Sequence, residues 1–532
     1  MFSAGRWLLP LFWLISNATC WINGARILVI APFETHSQCL LLMPYIEALA
    51  ERGHQLTVIH AFKHCKPVGN ETYIRISDNN NVFAEFEEFM VYATTNKWEE
   101  MNSMARIMIN AGLNVLNNAE VRALMKSNTT FDAVVVEAGF TDVLFGLGEL
   151  FNATLIGIST CGADWNLNTL VGHGVSVLVE PLMPMSAIPV RNVWDRIYMW
   201  YYNTEEWLLL NLVFIPKLRL VHDHFFGHLK KSFVETRQGF SLMLLNQHFS
   251  LFRARSSVPG MIEVGGFHIP KMDPTLPEDL QIFIDEAEHG VIYFALGVEL
   301  QSRDLPQEFQ KMLLKIFASL PQRVIWKFEG KHPANVSNNV YLSKMLPQQA
   351  ILAHPNVKVF ISHGGMLSIF EAVYYGKNII GLPLFYDQFR NLEVLVEEEV
   401  AIELRINSMT EEVMRDSLDR LLYQPKYREK ARSISEKFRD QPMHPLDSAI
   451  YWTEYVIRYK GAKHMRVSQS QVKLAEYYSL DKFLMVGVRL FLVVVFVFFA
   501  LSNRMVFLNY LARFVKSFIP VIGIQRNVEV IR

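Results

Sequence analysis

The chain has 532 residues, 51% of them hydrophobic and 19% charged, with a formal net charge of −1. That length exceeds one ordinary core and, at roughly 100–200 residues per domain, predicts two or three domains. The near-zero charge excludes an electrostatic footprint for nucleic acid. The shortage of charge against the roughly 25% of ordinary soluble chains excludes disorder and predicts surface that faces lipid or an apolar ligand.

The first element, residues 1–25, carries one cation, Arg6, then an apolar run Trp7–Ile15 and small residues at Ala18, Cys20 and Ala25. This is the pattern of a secretory signal peptide, to be left out of the fold. "ARILVIAPF" follows as a buried strand, "LLLMPYIEALAERGHQLTVIH" as a helix, a stop at Gly53 and a second strand. "FDAVVVEAG" and "ATLIGIST" repeat the β-branched style, so residues 26–267 read as an α/β domain with a mainly parallel sheet. Between Pro184 and Leu229 the rhythm gives way to an aromatic-rich helical stretch, read either as core or as an acceptor wall or membrane-contacting flap.

Prolines in "HIPKMDPTLPEDL" mark a linker at 268–280. Strand and helix patterns then alternate again from "VIYFALG" through "VKVFISH" and "NIIGLPLF", giving a second α/β domain over 281–455 and a return or juxtamembrane segment over 456–482. The simplest architecture is two Rossmann-like domains facing a cleft, with ligands at the carboxyl ends of the strands. Residues 483–503 are apolar enough and long enough, at 1.5 Å per residue, to cross a hydrocarbon layer of ~30 Å; their one charge, Arg489, can snorkel to the interface. Sequons at Asn70, Asn128, Asn152 and Asn335 and a mild excess of cations after the span predict a single-pass type I protein with a cytosolic tail at 504–532. Without the signal, Cys39, Cys65 and Cys161 are an odd number that cannot form a disulfide framework even in an oxidising lumen, so packing and not cross-links is expected to hold the fold.

The stretch "VFISHGGMLSIFEA" runs from a strand through a glycine turn into a helix. At a helix start the first N–H groups lack partners and the macrodipole is positive, so His363, Gly364 and Gly365 have the form of a phosphate site. No G-x-x-x-x-G-K-[ST], no G-x-G-x-x-G and no metal-ligand spacing is present.

"KMLPQQAILAHPNVKVFISHGGMLSIFEAVYYGKNIIGLPLFYDQFRN", with "NQHFSLFRARSSVPGMIEVGGFHIP", "VIWKFEG" and the apolar tail segment, resembles the UDP-glycosyltransferases, above all the membrane-anchored insect enzymes of the endoplasmic reticulum. The resemblance implies a GT-B type fold and a lumenal enzyme. Its expected reaction moves glucose or glucuronic acid, with inversion, from a UDP-sugar co-substrate to a small lipophilic acceptor, as in detoxification, with no other cofactor. It implies that His363, Gly364, Gly365 and Ser368 hold the pyrophosphate and that Glu371 meets the ribose hydroxyls. Asp387 and Gln388 would bind the sugar, and Gly297, Met345 and Gln348 would complete the donor site. Each role suits its chemistry: uncharged donors meet phosphate, a carboxylate meets a diol, and an acid–amide pair fixes a sugar. The plain alternatives are a solvated helix face for Glu371 and an N-cap for Asp387.

The chain departs from the family where a general base is expected. Sixteen residues before the His of "RGH" stands Gln38, and an amide is no base near neutral pH. His36 is the nearest imidazole; Glu137 and Asp142 are the candidates for the orienting carboxylate, with Glu137 at the family's Asp column. "FALGV" replaces the usual "FSLGS", and Met345 stands where family members carry Trp. The competing expectation is therefore a catalytically impaired member that acts as a binding or regulatory partner, in a homo- or hetero-oligomer with related enzymes.

Overall fold

The computed structural model describes residues 24–62, 71–77, 97–139, 141–160, 162–173, 193–252, 257–297, 301–331, 333, 336–384, 387–466, 480–502 and 504–518. The signal peptide up to residue 23, Asn70, Asn335, Val298 and the segment 467–479 lie outside them.

Seven parallel strands form the first sheet: β1 (Arg26–Ala31), β2 (Gln55–His60), β3 (Thr72–Arg75), β4 (Ala133–Glu137), β5 (Thr154–Ser159), β6 (Leu242–Leu245) and β7 (Met261–Glu263). They run in the order β3-β2-β1-β4-β5-β6-β7. Six more, β8 (Val291–Ala295), β9 (Arg323–Lys327), β10 (Val340–Ser343), β11 (Val357–Ser362), β12 (Asn378–Gly381) and β13 (Ala401–Glu403), are parallel in the order β10-β9-β8-β11-β12-β13. Continuous buried runs such as "AVVV" and "VFIS" have neither face in solvent, as strands covered by helices on two sides must.

Strand order reverses between β1 and β4 in the first sheet and between β8 and β11 in the second. Ligands of open α/β sheets bind at the carboxyl ends of strands at such points. Pro32–Gln38, Gly297 and His363 lie just past those ends, and Glu137 is the last residue of β4. Ring stacking holds the second pair of strands in place: Tyr293 on β8 lies 5.1 Å from Phe360 on β11, and Phe294 lies 5.1 Å from Trp326 on β9.

The helix Pro445–Arg458 returns to the first sheet. Its Ala449, Ile450 and Val456 are buried with Leu41, Leu42, Tyr45 and Ile46 of the helix His36–Glu51, and the Tyr45 hydroxyl bonds Thr453 Oγ1 at 2.8 Å. Return packing thus begins eleven residues ahead of the expected 456, because an amphipathic pattern reveals a face to bury and not the core that receives it.

Two further expectations change. Cys39 is buried and disulfide-bonded, its partner outside the described residues, so packing does not act alone; three cysteines still allow one pair. The aromatic stretch forms the helices Val193–Leu209 and Ile215–Phe226 joined by a π-turn. It buries Leu210, Phe214, Leu218 and Phe226 while Trp194, Ile197, Tyr198 and Tyr201 stay exposed.

Residues 468–532 form a separate unit, with helices Leu480–Ser502 and Arg504–Phe518. Among the described residues no helix is long and apolar enough to cross a membrane. Within Leu480–Ser502 the described side chains cover residues 487–498, and all of them are exposed.

Candidate active site

One cavity of about 650 Å³ is lined by residues following both strand-order reversals. Its first wall comes from β1, β4 and the helix His36–Glu51. Gln38 Nε2 donates to Glu137 Oε1 at 2.8 Å, and Thr160 Oγ1 donates to the same oxygen at 3.0 Å. Glu137 is 5% exposed, and burial pushes its carboxyl up to about 8 against the weaker lowering by those two donors. His36 opens the helix and also lines the cavity. At 100° per residue it stands ~200° round the axis from Gln38, so it does not take over the Gln38 position.

Asp142 is not part of this wall. It is buried in an ion pair with Arg237, whose Nη2 also donates to Asn166 Oδ1 at 2.7 Å. Of the two carboxylates expected from the sequence, Glu137 lines the cavity and Asp142 does not. Phe33, Leu41, Ile76, Met104, Ile107 and Met108 make the surrounding wall apolar. None of the described residues between 193 and 229 lines it, and residues 184–192 of the aromatic-rich stretch lie outside the described residues.

The second wall is built around His363. Gly364 takes φ +87° to turn β11 into the helix Met366–Tyr374, and Gly365 is that helix's N-cap. A Cβ on Gly365 would lie 2.4 Å from His363 Nε2, and one on Gly297 2.8 Å from Cε1, so both glycines make room for the imidazole. Burial first, then the nearby Lys327 ammonium, lowers His363 to about 4. The ring is neutral near pH 7, and its Nδ1 is buried without a hydrogen-bond partner. An uncharged donor beside a helix start suits an anion.

Glu371 is 5% exposed, so the solvated-face alternative does not hold. Its Oε2 accepts from Gln348 Nε2 at 2.6 Å and its Oε1 from Gln349 Nε2 at 2.9 Å. The Gln348 amide also donates to Ser368 Oγ at 3.0 Å, while the Tyr293 hydroxyl donates to Gln348 Oε1 at 3.3 Å. His268, in the expected linker, places its Nε2 3.3 Å from Glu371 Oε1. Asp387 sits at the N-cap of the helix Gln388–Glu397 but caps nothing with its side chain. Instead Asn391 Nδ2 donates to its Oδ2 at 2.8 Å and to the Gly364 carbonyl at 3.0 Å, tying Asp387 to the glycine turn. Burial raises Asp387 to about 6. Gln388 Oε1 accepts from Leu384 N at 2.8 Å, and Met345 is 69% exposed at the cavity edge.

Sequence reasoning passed over Lys327, Gln349, His268, Thr160 and Asn391. Lys327 ends the buried strand β9, 7% exposed, with its ammonium on the Gly297 carbonyl at 2.9 Å and paired with Glu329. A lone cation closing an aromatic strand pattern was a readable signal; the other four carry none before the fold brings them together. Among the described residues no group of three or more His, Cys, Asp or Glu is placed to hold a metal ion.

The family model for UDP-glucoronosyl and UDP-glucosyl transferase matches residues 25–517. The chain belongs to the UDP-glycosyltransferase family. It is 33% identical to UDP-glucosyltransferase 2 of Dactylopius coccus over 86% of this chain and 89% of that one. It is 30% identical to UDP-glucuronosyltransferase 2B13 of Oryctolagus cuniculus over 88% and 91%. Among solved structures the glycosyltransferase VinC in complex with dTDP superposes with a TM-score of 0.58 at 16% identity, covering 82% of this chain and 100% of that chain. That similarity shows the GT-B fold. This UDP-glycosyltransferase is thus an enzyme of the sugar-transferring class, with two parallel-sheet domains and UDP-sugar as donor.

Proposed function

We propose that this UDP-glycosyltransferase transfers a hexosyl group, glucose or glucuronic acid, from its UDP-sugar to a small lipophilic acceptor with inversion, and that acidic phenols or carboxylic acids serve it best. The observation that carries the reading is the shared cavity, with Gln38 and Glu137 on one wall and His363, Glu371 and Asp387 on the other. His363 and the amides at the start of the helix Met366–Tyr374 would meet the diphosphate, Lys327 would offset the charge that UDP gains on leaving, and Glu371 would exchange its glutamine amides for ribose hydroxyls. Asp387 and Gln388 would orient the hexose. The apolar wall favours a lipophilic acceptor, and an acidic one asks less of a site whose usual base position holds an amide.

Anchoring in the endoplasmic reticulum membrane, with the cavity lumenal, belongs to the same proposal. Val488 and every residue from Leu490 to Phe498 are apolar and exposed, a surface suited to lipid. Asn128 and Asn152, both exposed, would carry glycans in that compartment.

The amide at position 38 also favours a second reading, a partner protein that binds UDP-sugar without turnover. Purified full-length chain, incubated with UDP-glucose or UDP-glucuronate and a panel of phenols and carboxylic acids, decides by mass detection of the conjugate. Saturable UDP binding without any conjugate would leave the partner reading; no binding at millimolar UDP would defeat both.

A further inference from the structure

The Gln38–Glu137 pair leaves one group on the acceptor wall unused. Both neighbouring donors, Gln38 Nε2 and Thr160 Oγ1, converge on Glu137 Oε1. Oε2 of the same carboxyl is buried and has no hydrogen-bond partner, although the residue lines the cavity. A buried polar atom left unpaired is costly and calls for an explanation, of which a catalytic role is one. Orientation of a histidine is not the explanation, because position 38 has no imidazole to orient. Asp142, the other carboxylate of this passage, is spent on Arg237.

We propose that Glu137 is itself the general base, and that Gln38 and Thr160 hold the carboxyl through Oε1 so that Oε2 faces the acceptor. This inference rests on the transferase reading above. In the step, the acceptor O–H gives its proton to Glu137 Oε2 while its oxygen bonds the anomeric carbon of the donor sugar. The bond from that carbon to the β-phosphate oxygen breaks, and its electron pair leaves with UDP. Glu137 then returns the proton to solvent. A base works best with a pKa near the working pH, and burial has moved this carboxyl toward it. Gln38 and Thr160, its direct neighbours, do not titrate. The other titratable or charged groups on the cavity are His36 and Glu34 beside Gln38, Asp164 beyond Thr160, and His363, Lys327, Glu371 and Asp387 on the facing wall.

The test compares wild type, Glu137→Gln, Glu137→Asp and His36→Ala, full length, by the pH profile of kcat/KM with an unactivated phenol and with a nitrophenol that is ionised at pH 8. Calorimetric UDP binding and thermal melting report whether each variant keeps its fold. Expected are a wild-type profile that rises through about pH 8 and a loss of at least a hundredfold in kcat for Glu137→Gln on phenol, with UDP affinity within threefold. On the ionised nitrophenol the same variant should lose under tenfold, and Glu137→Asp should recover part of the phenol rate. In His36→Ala the rising limb should stay where it is. Retention of more than a tenth of the phenol rate by Glu137→Gln, or transfer of the rising limb's dependence to His36, overturns the inference while leaving the transferase reading standing. A wild-type chain that transfers to no acceptor overturns both.

Discussion

Glu137 shows how one side chain can set both chemistry and stability. Its carboxyl is raised from 4.5 to about 8 by burial, so between those values the folded chain holds a proton that the unfolded chain has released. The sign follows: the protonated group's contribution to stability is complete below about 4.5 and is lost as pH rises through about 8. Glu137→Gln keeps the shape and removes the titration. The variant should therefore gain on wild type by on the order of a few kcal/mol between pH 5 and pH 9, read as a difference in melting temperature that widens with pH. A gap that stays constant across that range would show that the carboxyl is ionised throughout. The neighbouring position gives the complementary prediction. Gln38→His places an imidazole against Glu137, so turnover should rise and the rising limb of the pH profile should move down by a unit or more toward the ordinary histidine range near ~6.5. A rate-versus-pH titration of the two proteins checks it.

At the scale of elements, the glycine turn after β11 is where local sequence and tertiary need agree. Gly365 has φ −63°, open to any residue, so the space it leaves for His363 is its contribution, whereas Gly297 at φ +86° is also needed for its backbone. Gly365→Ala should push the imidazole aside without straining the chain. The expected result is UDP binding weakened about tenfold, the loss of one good hydrogen bond to phosphate, with a melting temperature within a few degrees of wild type, measured by calorimetry and thermal scan. This turn and the strands β1, β4, β8 and β11 were legible in the sequence, because each is carried by a run of adjacent residues, whereas Gln38 stood out only through the family resemblance. The supports were not legible. Gln349 reaches Glu371 across 22 positions, Thr160 reaches Glu137 across 23, and His268 reaches Glu371 across more than a hundred, separations at which no periodicity speaks. Edge strands such as β7 and β13, three residues each, are too short to show a pattern at all. The sequence favoured Glu137 over Asp142 only through the family resemblance; what separates them in the structure is Arg237, 95 residues from Asp142.

For the whole molecule, the chain's last described crossing decides where it can be cut. The helix Pro445–Arg458 buries Ile450 and Val456 against the helix that carries Gln38, and Thr453 there satisfies the buried hydroxyl of Tyr45. Two aliphatic side chains at roughly 1.5–3 kcal/mol each and an orphaned hydroxyl at roughly 1–3 kcal/mol approach the 5–15 kcal/mol by which a domain is stable at all. Glu454 adds contacts to His54 at 3.4 Å and Arg52 at 3.8 Å on the same side. A chain ending after Asp440 should accordingly fail to fold, and the wall that carries Gln38 should be lost with it although His363, Glu371 and Asp387 are all present. A chain ending after Arg466 keeps the crossing and drops only the separate unit that begins at Ser468. It should leave the membrane fraction and still be protected by UDP, which at a hundred times its Kd stabilises a native state by about 2.7 kcal/mol, a shift of several degrees in a thermal scan. Alkaline carbonate extraction followed by that scan separates the outcomes: a protein that stays with the membrane without residues 467–532 would place the anchor elsewhere, and one that folds without the crossing would show that the two sheets need no return helix to hold them.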